Sequence, residues 1–231
     1  MSARSTFTTP IPTQWVGPLL FKGDLVDGLV EVPLATYESP LWPSTARGAG
    51  VSRHAGGIQV TLVDERMTRS VAVRAKSAAG AYAAWQRIEA QTDTVADLIS
   101  GTSRFARLIK LNRQIVGNLL FVRIECATGD ASGHNMVTKA AEAVLNWILE
   151  DQPELSYASI SGNLCTDKKV SAVNGLLGRG KYVIAEIDIP ARLLKRMLRT
   201  TPQEMVTLNH EKNYVGGNLA GSLRSANAHF A

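Results

Sequence analysis

Residues 119–149 read LLFVRIECATGDASGHNMVTKAAEAVLNWIL, and the order of patterns in this stretch decides the fold. An apolar run ends at Cys126, and a Gly-rich acidic turn then leads into a helix predicted from about Gly133 to Leu149. Apolar residues in this helix recur at spacings of three and four, which predicts one buried stripe: Met136, Val137, Ala140, Ala143, Val144, Trp147 and Ile148. A strand followed by an amphipathic helix predicts helices packed on a sheet.

Elements predicted on both sides of this stretch extend the pattern. Upstream lie a hairpin (57–77, turning between GIQVTLVDERM and SVAVRAKS), one helix (79–100) and a second hairpin (107–126, turning at NRQIVGN). A strand at YASISGN follows the helix. From 70 to 162 the order is strand, helix, strand, strand, helix, strand, which is the split βαβ pattern of ferredoxin-like domains. The predicted fold class is α+β, with a small ferredoxin-like domain (βαββαβ) inserted into a larger mixed α/β domain.

This insertion predicts three segments: the first part of the large domain at 1–69, the small domain at 70–160, and the second part of the large domain at 161–231. In the first segment, a strand at Leu29–Val32 runs into a helix-permissive stretch. In the third, KYVIAEIDIP predicts a strand, and IPARLLKRMLRT and TPQEMVTLNH predict helices. Thr201 and Glu204 in the last of these form a predicted capping box. NLAGSLRSANAHFA predicts a final helix of small residues.

Composition excludes several classes of protein. The 231 residues are 45% hydrophobic, which suits a folded core, and no apolar run approaches the roughly 20 residues of a membrane span. No signal peptide is evident, so we expect a cytoplasmic protein without a membrane partner. Neither the two cysteines, Cys126 and Cys165, nor the four histidines have metal-ligand spacing, so no metal site is expected. The net charge of +5 is dispersed, and anionic small ligands explain it better than nucleic acid.

The segment GDASGHN at 129–135 is a candidate nucleotide site. Asp130 is predicted to cap the following helix, while Gly129 and Gly133 permit close approach of a phosphate to backbone N–H groups. An ordinary capped helix explains the same residues, and the segment is not the glycine fingerprint of a Rossmann fold. GLLGRGKY at 175–182 mimics a P-loop, but Tyr182 follows the lysine, so it predicts a turn into a strand.

Charged side chains in two other segments suggest carbonyl chemistry. In TDKK at 166–169, one lysine could stabilise a developing oxyanion and the other could bind a carboxylate. A solvated charged turn is the alternative. Glu38 could donate a proton if burial raises its pKa, and a surface glutamate near a turn is the alternative. A nucleotide site together with side chains that bind a carbonyl group indicates a reductase.

Taken together, these segments resemble the 3-hydroxy-3-methylglutaryl-coenzyme A (HMG-CoA) reductase family, in its soluble bacterial-type form. The matching runs occur in family order across nearly the whole chain: WVGPL, EVPLATYES, PSTARGAG, DERMTR, GTSRFARLIKL, TGDASGHNM, SGNLCTDKK, GRGK, EKNYVGGNLAGS and NAHFA. The DKK form resembles the class that includes the eukaryotic enzymes and uses NADPH. The resemblance implies NADPH-dependent reduction of HMG-CoA to mevalonate and coenzyme A, with NAD(H) as a possible alternative cofactor.

The resemblance also assigns roles to residues. It implies two catalytic residues, Glu38 and Lys168. It implies that the hydroxymethylglutaryl group is held by Arg69, Ser161, Asp167, Lys169 and Lys212. On the coenzyme A side it implies Ser44 and Arg47. For the nicotinamide cofactor, bound by the small domain, it implies Ser103, Arg104, Asp130, Gly133, His134, Asn135 and Met136.

The resemblance further implies a homodimer or higher homo-oligomer, in which the TDKK loop of one subunit completes the active site of its neighbour. The family's catalytic aspartate and flap histidine lie beyond the position matched by Ala231, so we expect a carboxy-terminally truncated form of the enzyme. Two alternatives remain open at this point: NAD-dependent oxidation of mevalonate, and an inactive fragment that acts as a binding or dimerisation module. A ferredoxin-like nucleic-acid binder is disfavoured because the candidate strands lack stacking aromatic residues.

Overall fold

A computed structural model describes residues 7–222 of the chain. The chain divides into two compact units: a central unit, Val63–Tyr182, and a flanking unit formed by the parts of the chain on either side. The predicted 70–160 segment lies inside the central unit, which extends beyond it at both ends. The domain roles assigned from the sequence remain predictions.

Strands and helices alternate along most of the described chain. The strands are β1 Thr13–Lys22, β2 Gly28–Ala35, β3 Ile58–Arg74, β4 Arg107–Val116, β5 Leu119–Ala127, β6 Ser156–Ser159 and β7 Gly180–Glu186. The helices are α1 Leu41–His54, α2 Ala78–Ala90, α3 Thr92–Thr102, α4 His134–Asp151, α5 Ala172–Leu177, α6 Ala191–Leu193, α7 Pro202–Asn209 and α8 Gly217–Leu219. Two π-helical segments, Leu194–Leu198 and His210–Gly216, continue α6 and α7. Because β1 pairs with β3 in parallel and the β1–β2 pair is antiparallel, the sheet is mixed, which confirms a mixed α and β fold.

The core of the central unit lies between its sheet and its helices. Strand β3 pairs antiparallel with β5 on one side and β6 on the other, and β5 pairs antiparallel with β4. Helix α4 buries a stripe with helical spacing: Val137, Ala140, Ala141, Val144, Leu145 and Ile148. This is close to the predicted stripe, although Met136, Ala143 and Trp147 lie at its partly exposed margins. Helix α2 is buried at Trp85 and Ile88, and helix α3 is buried at Val95 and Ile99.

Two element predictions in this unit are wrong. The predicted hairpin at 57–77 is one continuous strand, β3, because the residues taken for a turn find partners in distant segments. Thr68 and Arg69 pair in register with Glu125 and Ile124 of β5, and Thr68 Oγ1 donates to the Cys165 carbonyl at 3.2 Å. The predicted helix at 79–100 is interrupted at Gln91, whose φ of −111° and ψ of 31° are not helical. The β4–β5 hairpin is confirmed, but with a tighter turn, at Gly117 and Asn118.

The flanking unit has a smaller buried core. Its buried apolar residues among those described are Val16, Ala49, Val51, Leu193 and Leu194. Large apolar side chains that remain exposed include Trp15, Leu29, Tyr37, Val206, Tyr214 and Leu219. Within residues 7–222, none of the helices combines the length and the apolar character that crossing a bilayer requires. Of the predicted final helix at 218–231, only Asn218 and Leu219 are helical among the described residues, as the end of α8, and a turn follows at 220–221. The part from residue 223 onward lies outside the described residues.

The predicted capping box at α7 is confirmed. Thr201 Oγ1 accepts from the Glu204 N–H at 3.2 Å, and Glu204 Oε2 accepts from the Thr201 N–H at 2.9 Å. The hydroxyl of Thr200 also donates to Glu204 Oε2, and this hydrogen bond, with those from Thr201, holds the pKa of Glu204 below its usual value.

We expect Thr201→Ala to lower the free energy of unfolding by about 1 kcal/mol, because the first turn of α7 loses its side-chain acceptor. Urea denaturation measures this change, and Thr201→Asn, which retains a capping oxygen, should cost less.

Since the folded pKa of Glu204 is lowered, the stability that it contributes is present above its unfolded pKa and is lost as the pH falls through its folded pKa. A Glu204→Gln variant should therefore have a lower free energy of unfolding than the parent at neutral pH, and the two free energies should become equal in acid. Equal differences at both pH values would contradict the assigned role of the carboxylate.

Candidate functional site

The predicted TDKK segment forms a turn at Thr166–Lys169, called the lysine turn below. Its backbone is unusual: Thr166 and Lys168 have φ values of 46° and 56°, and nearby Asn163 has a φ of 62°. Each such left-handed residue other than glycine costs about 1–3 kcal/mol, so surrounding contacts must hold the turn. The Gly162 N–H donates to the Ser70 carbonyl at 2.7 Å, which ties this segment to β3. The side chains of Lys168 and Lys169 are exposed, where a ligand can reach them.

Asp167 connects the lysine turn to the amino-terminal end of α4. Its carboxylate accepts a hydrogen bond from Arg179 and lies 3.5 Å from His134 Nε2. The Lys169 ammonium donates to the Asp167 carbonyl at 3.2 Å. Asp167 and Lys169 were predicted on the substrate side and His134 on the cofactor side. The fold of the central unit brings members of both sets into contact.

Arg69 approaches the same end of α4 from β3. Its Nη2 donates to the hydroxyl of Thr138, which in turn donates to the His134 carbonyl at 2.8 Å. Arg69 Nε is buried and has no hydrogen-bond partner among the described residues. Arg69 as a whole is partly exposed, and a guanidinium is suited to hold an anionic ligand group. Ser161 is half-buried, and its backbone carbonyl and N–H both bond to Ser159 Oγ, each at 3.0 Å.

The Gly-rich turn before α4 presents backbone donors. Gly133 is the N-cap with a φ of 79°, and a Cβ there would lie 2.5 Å from Thr128 Cγ2, so glycine is required. Thr128 Oγ1 closes the turn by donating to the Ala131 carbonyl at 2.8 Å. The prediction that Asp130 caps this helix is wrong: α4 begins only at His134, and no side chain of the described residues caps it. The unsatisfied N–H groups of this 18-residue helix fit an anionic group such as a phosphate.

The other predicted cofactor residues border this Gly-rich turn or lie in the first turn of α4. Ser103 ends α3, and its Oγ accepts from the Phe105 N–H at 3.2 Å. The Arg104 guanidinium stacks 4.9 Å from the centroid of the Phe105 ring. That ring faces Gly129, where an added Cβ would lie 3.6 Å from Phe105 Cδ1. Asn135 is exposed and Met136 is partly buried against the core. The loop at 103–105 and the Gly-rich turn thus form one surface.

Four predicted site residues belong to the flanking unit. Glu38 is exposed in the loop between β2 and α1, where its N–H donates to Thr36 Oγ1 at 2.9 Å. Within this chain it therefore has the surface environment that was the alternative to a buried acid. Ser44 and Arg47 are one helical turn apart in α1, which places them on the same face. Lys212 is exposed in the π-helical segment His210–Gly216. Their roles remain predictions.

Three residues of the site escaped the sequence-based assignment. Arg179 and Thr128 lie in runs that already carried the resemblance, GRGK and TGDASGHNM, and those runs were the available signal. Thr138 had no signal, because a threonine on the polar margin of a helix is unremarkable until Arg69 is placed beside it. Each of the three positions a predicted residue or its turn.

The described part of the chain contains neither a cluster of metal ligands nor a disulfide. No group of three or more potential ligands that could hold a metal ion occurs among residues 7–222. Cys126 and Cys165 are free and buried, as expected for structural cysteines. Burial, with a smaller contribution from Glu125, raises the pKa of the Cys126 thiol to about 12. The Cys126 thiol is therefore protonated at neutral pH.

Comparisons with known proteins identify the family. The sequence model of the hydroxymethylglutaryl-coenzyme A reductase family matches residues 6–231. A 3-hydroxy-3-methylglutaryl-coenzyme A reductase from Pyrococcus horikoshii is 42% identical over 222 residues, covering 96% of this chain and 54% of that protein. The 3-hydroxy-3-methylglutaryl-coenzyme A reductase 2 of Dictyostelium discoideum is 43% identical over 222 residues, covering 95% of this chain and 41% of that protein. The chain thus spans 54% or less of the length of these two relatives.

A solved structure shares the fold. It is the class II 3-hydroxy-3-methylglutaryl-CoA reductase from Streptococcus pneumoniae bound to NADPH in open conformations, with a TM-score of 0.65 and 21% sequence identity. The match covers 93% of this chain and 54% of that one. At this identity the likeness concerns the fold, whereas the sequence match concerns the family. Because the family model accounts for residues 6–231, the chain belongs to the hydroxymethylglutaryl-coenzyme A reductase family.

Proposed function

We propose that this chain is part of an enzyme that reduces HMG-CoA to mevalonate and coenzyme A, with NADPH as the hydride donor. Membership of the family supports the reaction class. The observation that carries the proposal is the 3.5 Å approach of His134 Nε2 to Asp167 Oδ1. That contact puts a turn suited to a phosphate next to a turn suited to a carbonyl and a carboxylate, as a hydride transfer between two bound molecules requires.

The amino-terminal end of α4 and the 103–105 loop are the proposed cofactor site. Gly133, His134, Asn135 and Met136 would present backbone donors to a phosphate, and Asp130, Ser103 and Arg104 would line the surrounding surface. When bound, the nicotinamide supplies hydride to the substrate. NADPH is proposed over NADH because the DKK form resembles the NADPH-using class and because the solved relative is bound to NADPH.

The charged side chains have distinct proposed roles in binding and reducing the substrate. The Lys168 ammonium stabilises the oxyanion that develops when hydride reaches the thioester carbonyl, and again when it reaches the aldehyde. Glu38 supplies the proton that the alkoxide takes up. Arg69, Ser161, Asp167, Lys169 and Lys212 hold the hydroxymethylglutaryl group, and Ser44 and Arg47 contact the coenzyme A side. The exposure of both lysines of the turn leaves them accessible for these contacts.

The proposed cofactor domain is a ferredoxin-like module at about 70–160, set into a larger substrate domain. Its support is the order of elements in the central unit, β3, α2 with α3, β4, β5, α4 and β6, and the strand neighbours β6, β3, β5 and β4. We further propose a homodimer or higher homo-oligomer in the cytoplasm, with the lysine turn of one subunit completing the site of its neighbour. This part of the proposal rests on the family resemblance.

The direct test supplies the full-length protein with HMG-CoA and either NADPH or NADH. We expect two molecules of NADPH to be oxidised for each mevalonate formed, because a thioester needs two hydrides to become an alcohol. We also expect kcat/KM to be higher with NADPH than with NADH, and size-exclusion chromatography to show at least a dimer. Formation of mevalonate is measured by mass spectrometry, which separates turnover from idle cofactor oxidation. Absence of mevalonate with both cofactors would contradict the proposal.

The reverse reaction provides a second arm of the same assay. Mevalonate, coenzyme A and the oxidised cofactor are supplied together, and formation of HMG-CoA is followed. We expect slower turnover in this direction than in the reductive one. Faster oxidation of mevalonate with NAD than reduction with NADPH would reverse the proposed direction.

A further inference from the structure

The side-chain amide of Asn174 bridges the two ends of the lysine turn. Its Nδ2 donates to the Thr166 carbonyl at 3.2 Å and to the Lys169 carbonyl at 3.1 Å. These two carbonyls flank the dipeptide that contains Lys168. We infer that Asn174 is a positioning residue, which holds the lysine turn in the conformation that presents Lys168. The catalytic part of this inference rests on the proposed function, whereas the structural part does not.

The lysine turn has few backbone bonds of its own to hold its left-handed residues. The Thr166 N–H donates to the Asn163 carbonyl at 2.9 Å, but the Lys169 N–H reaches the Thr166 carbonyl only at 3.3 Å. The β-branched side chain of Thr166 makes its φ of 46° particularly unfavourable. Such a turn persists only where surrounding contacts over-determine it. The two hydrogen bonds from Asn174 supply that restraint.

Asn174 is itself anchored to the sheet of the central unit. Its N–H donates to Ser171 Oγ at 3.1 Å, and its carbonyl accepts from the Gly178 N–H at 3.0 Å. The Gly178 carbonyl in turn accepts from Arg123 Nη2 at 2.7 Å. Arg123 is fully buried in β5. A continuous series of hydrogen bonds therefore connects the lysine turn with the interior of the central unit.

The orientation of the amide follows from its partners. Both are carbonyl oxygens, so only the amide nitrogen, with its two hydrogens, can satisfy them. Asn174 Oδ1 is buried and has no hydrogen-bond partner among the described residues. Aspartate has nearly the same shape, but it would present an anionic oxygen to two carbonyls. Asn174→Asp is therefore a test of the two donors that keeps the volume of the side chain.

Hydrogen exchange tests the structural part independently of activity. In the full-length protein, we expect Asn174→Ala and Asn174→Asp to speed exchange of the amides in 166–169 by about tenfold or more, because two hydrogen bonds are lost. Asn118→Ala is the matched control, since Asn118 Nδ2 also donates to a backbone carbonyl of this unit, that of Ala75, at 2.8 Å. It should leave exchange at 166–169 unchanged. Unchanged exchange in both Asn174 variants would overturn the inference.

Kinetics test the link to Lys168. We expect Asn174→Ala to lower kcat about tenfold to a hundredfold, since a misplaced catalytic group costs about this much. In a Lys168→Ala background, the same change should lower kcat no further, because Asn174 acts through Lys168. A further fall of the same size would overturn the positioning role. If the parent protein forms no mevalonate, the proposed function fails, and the exchange experiment alone decides whether Asn174 holds the turn.

Discussion

Replacing Lys168 with alanine in the full-length protein is expected to lower kcat by about 100- to 1000-fold, the usual cost of removing one donor from an oxyanion site. The fold presents this lysine on a restrained turn, with φ at 56° and its side chain exposed. In the proposed reaction its charge is needed when the carbonyl oxygen becomes negative. The loss should therefore appear in kcat and kcat/KM alike, as it does for an interaction made only in the transition state.

Two variants separate this effect from general loss of charge or fold. Lys168→Met keeps the length of the side chain and removes the charge, and it should be as inactive as Lys168→Ala. Lys22→Ala removes an exposed lysine that forms a surface ion pair with Asp27 at 3.2 Å, and it should behave as the parent. Steady-state assays of mevalonate formation measure all three. Near-normal turnover of Lys168→Ala would remove the basis for the assigned oxyanion role.

Among the proposed substitutions, replacing Glu125 is expected to lower the free energy of unfolding the most. The side chain of Glu125 is fully buried on β5, where its carboxylate accepts from Arg123 Nη1, from Arg66 Nη1 at 2.5 Å and from Asn112 Nδ2 at 2.8 Å. Glu125→Ala leaves the Arg123 guanidinium buried without its counter-charge, and burial already lowers the pKa of Arg123. Breaking a buried ion pair in this way costs about 3–5 kcal/mol in free energy of unfolding.

Urea denaturation of the full-length protein measures this cost, and two further variants interpret it. Arg87→Ala breaks the more exposed pair with Asp151, at 2.7 Å, in the same unit, and it should cost much less than Glu125→Ala because solvent screens this pair. The double variant Arg123→Met with Glu125→Leu removes both buried charges together, so it should recover part of the stability lost in Glu125→Ala. A loss below about 1 kcal/mol for Glu125→Ala would show that water reaches the cluster.

Much of the fold was predictable where the signal was local. The helix α4 and the capping box of α7 were predicted because helical periodicity and capping depend on residues three or four positions apart. The turn into β7 at Gly180 was also predicted from neighbouring residues, because Tyr182 follows Lys181 where a P-loop needs serine or threonine. The hairpin predicted at 57–77 failed because Arg66 and Thr68 find their partners in Glu125 and Cys165, far away in the chain.

The amino-acid sequence by itself determined the family and the residue types of the site: a glycine turn before a helix, an acid with two lysines, and an arginine on a strand. Tertiary structure decided which of these residues meet. Arg69 contacts Thr138, which lies 69 positions later, and His134 approaches Asp167 at 3.5 Å, although no local pattern marks either pair. Left-handed φ values at Thr166 and Lys168, and the amide of Asn174 that restrains them, were likewise invisible. The physical reason is that periodicity and capping act over one or two turns, whereas these contacts form only when packing of the core brings distant segments together.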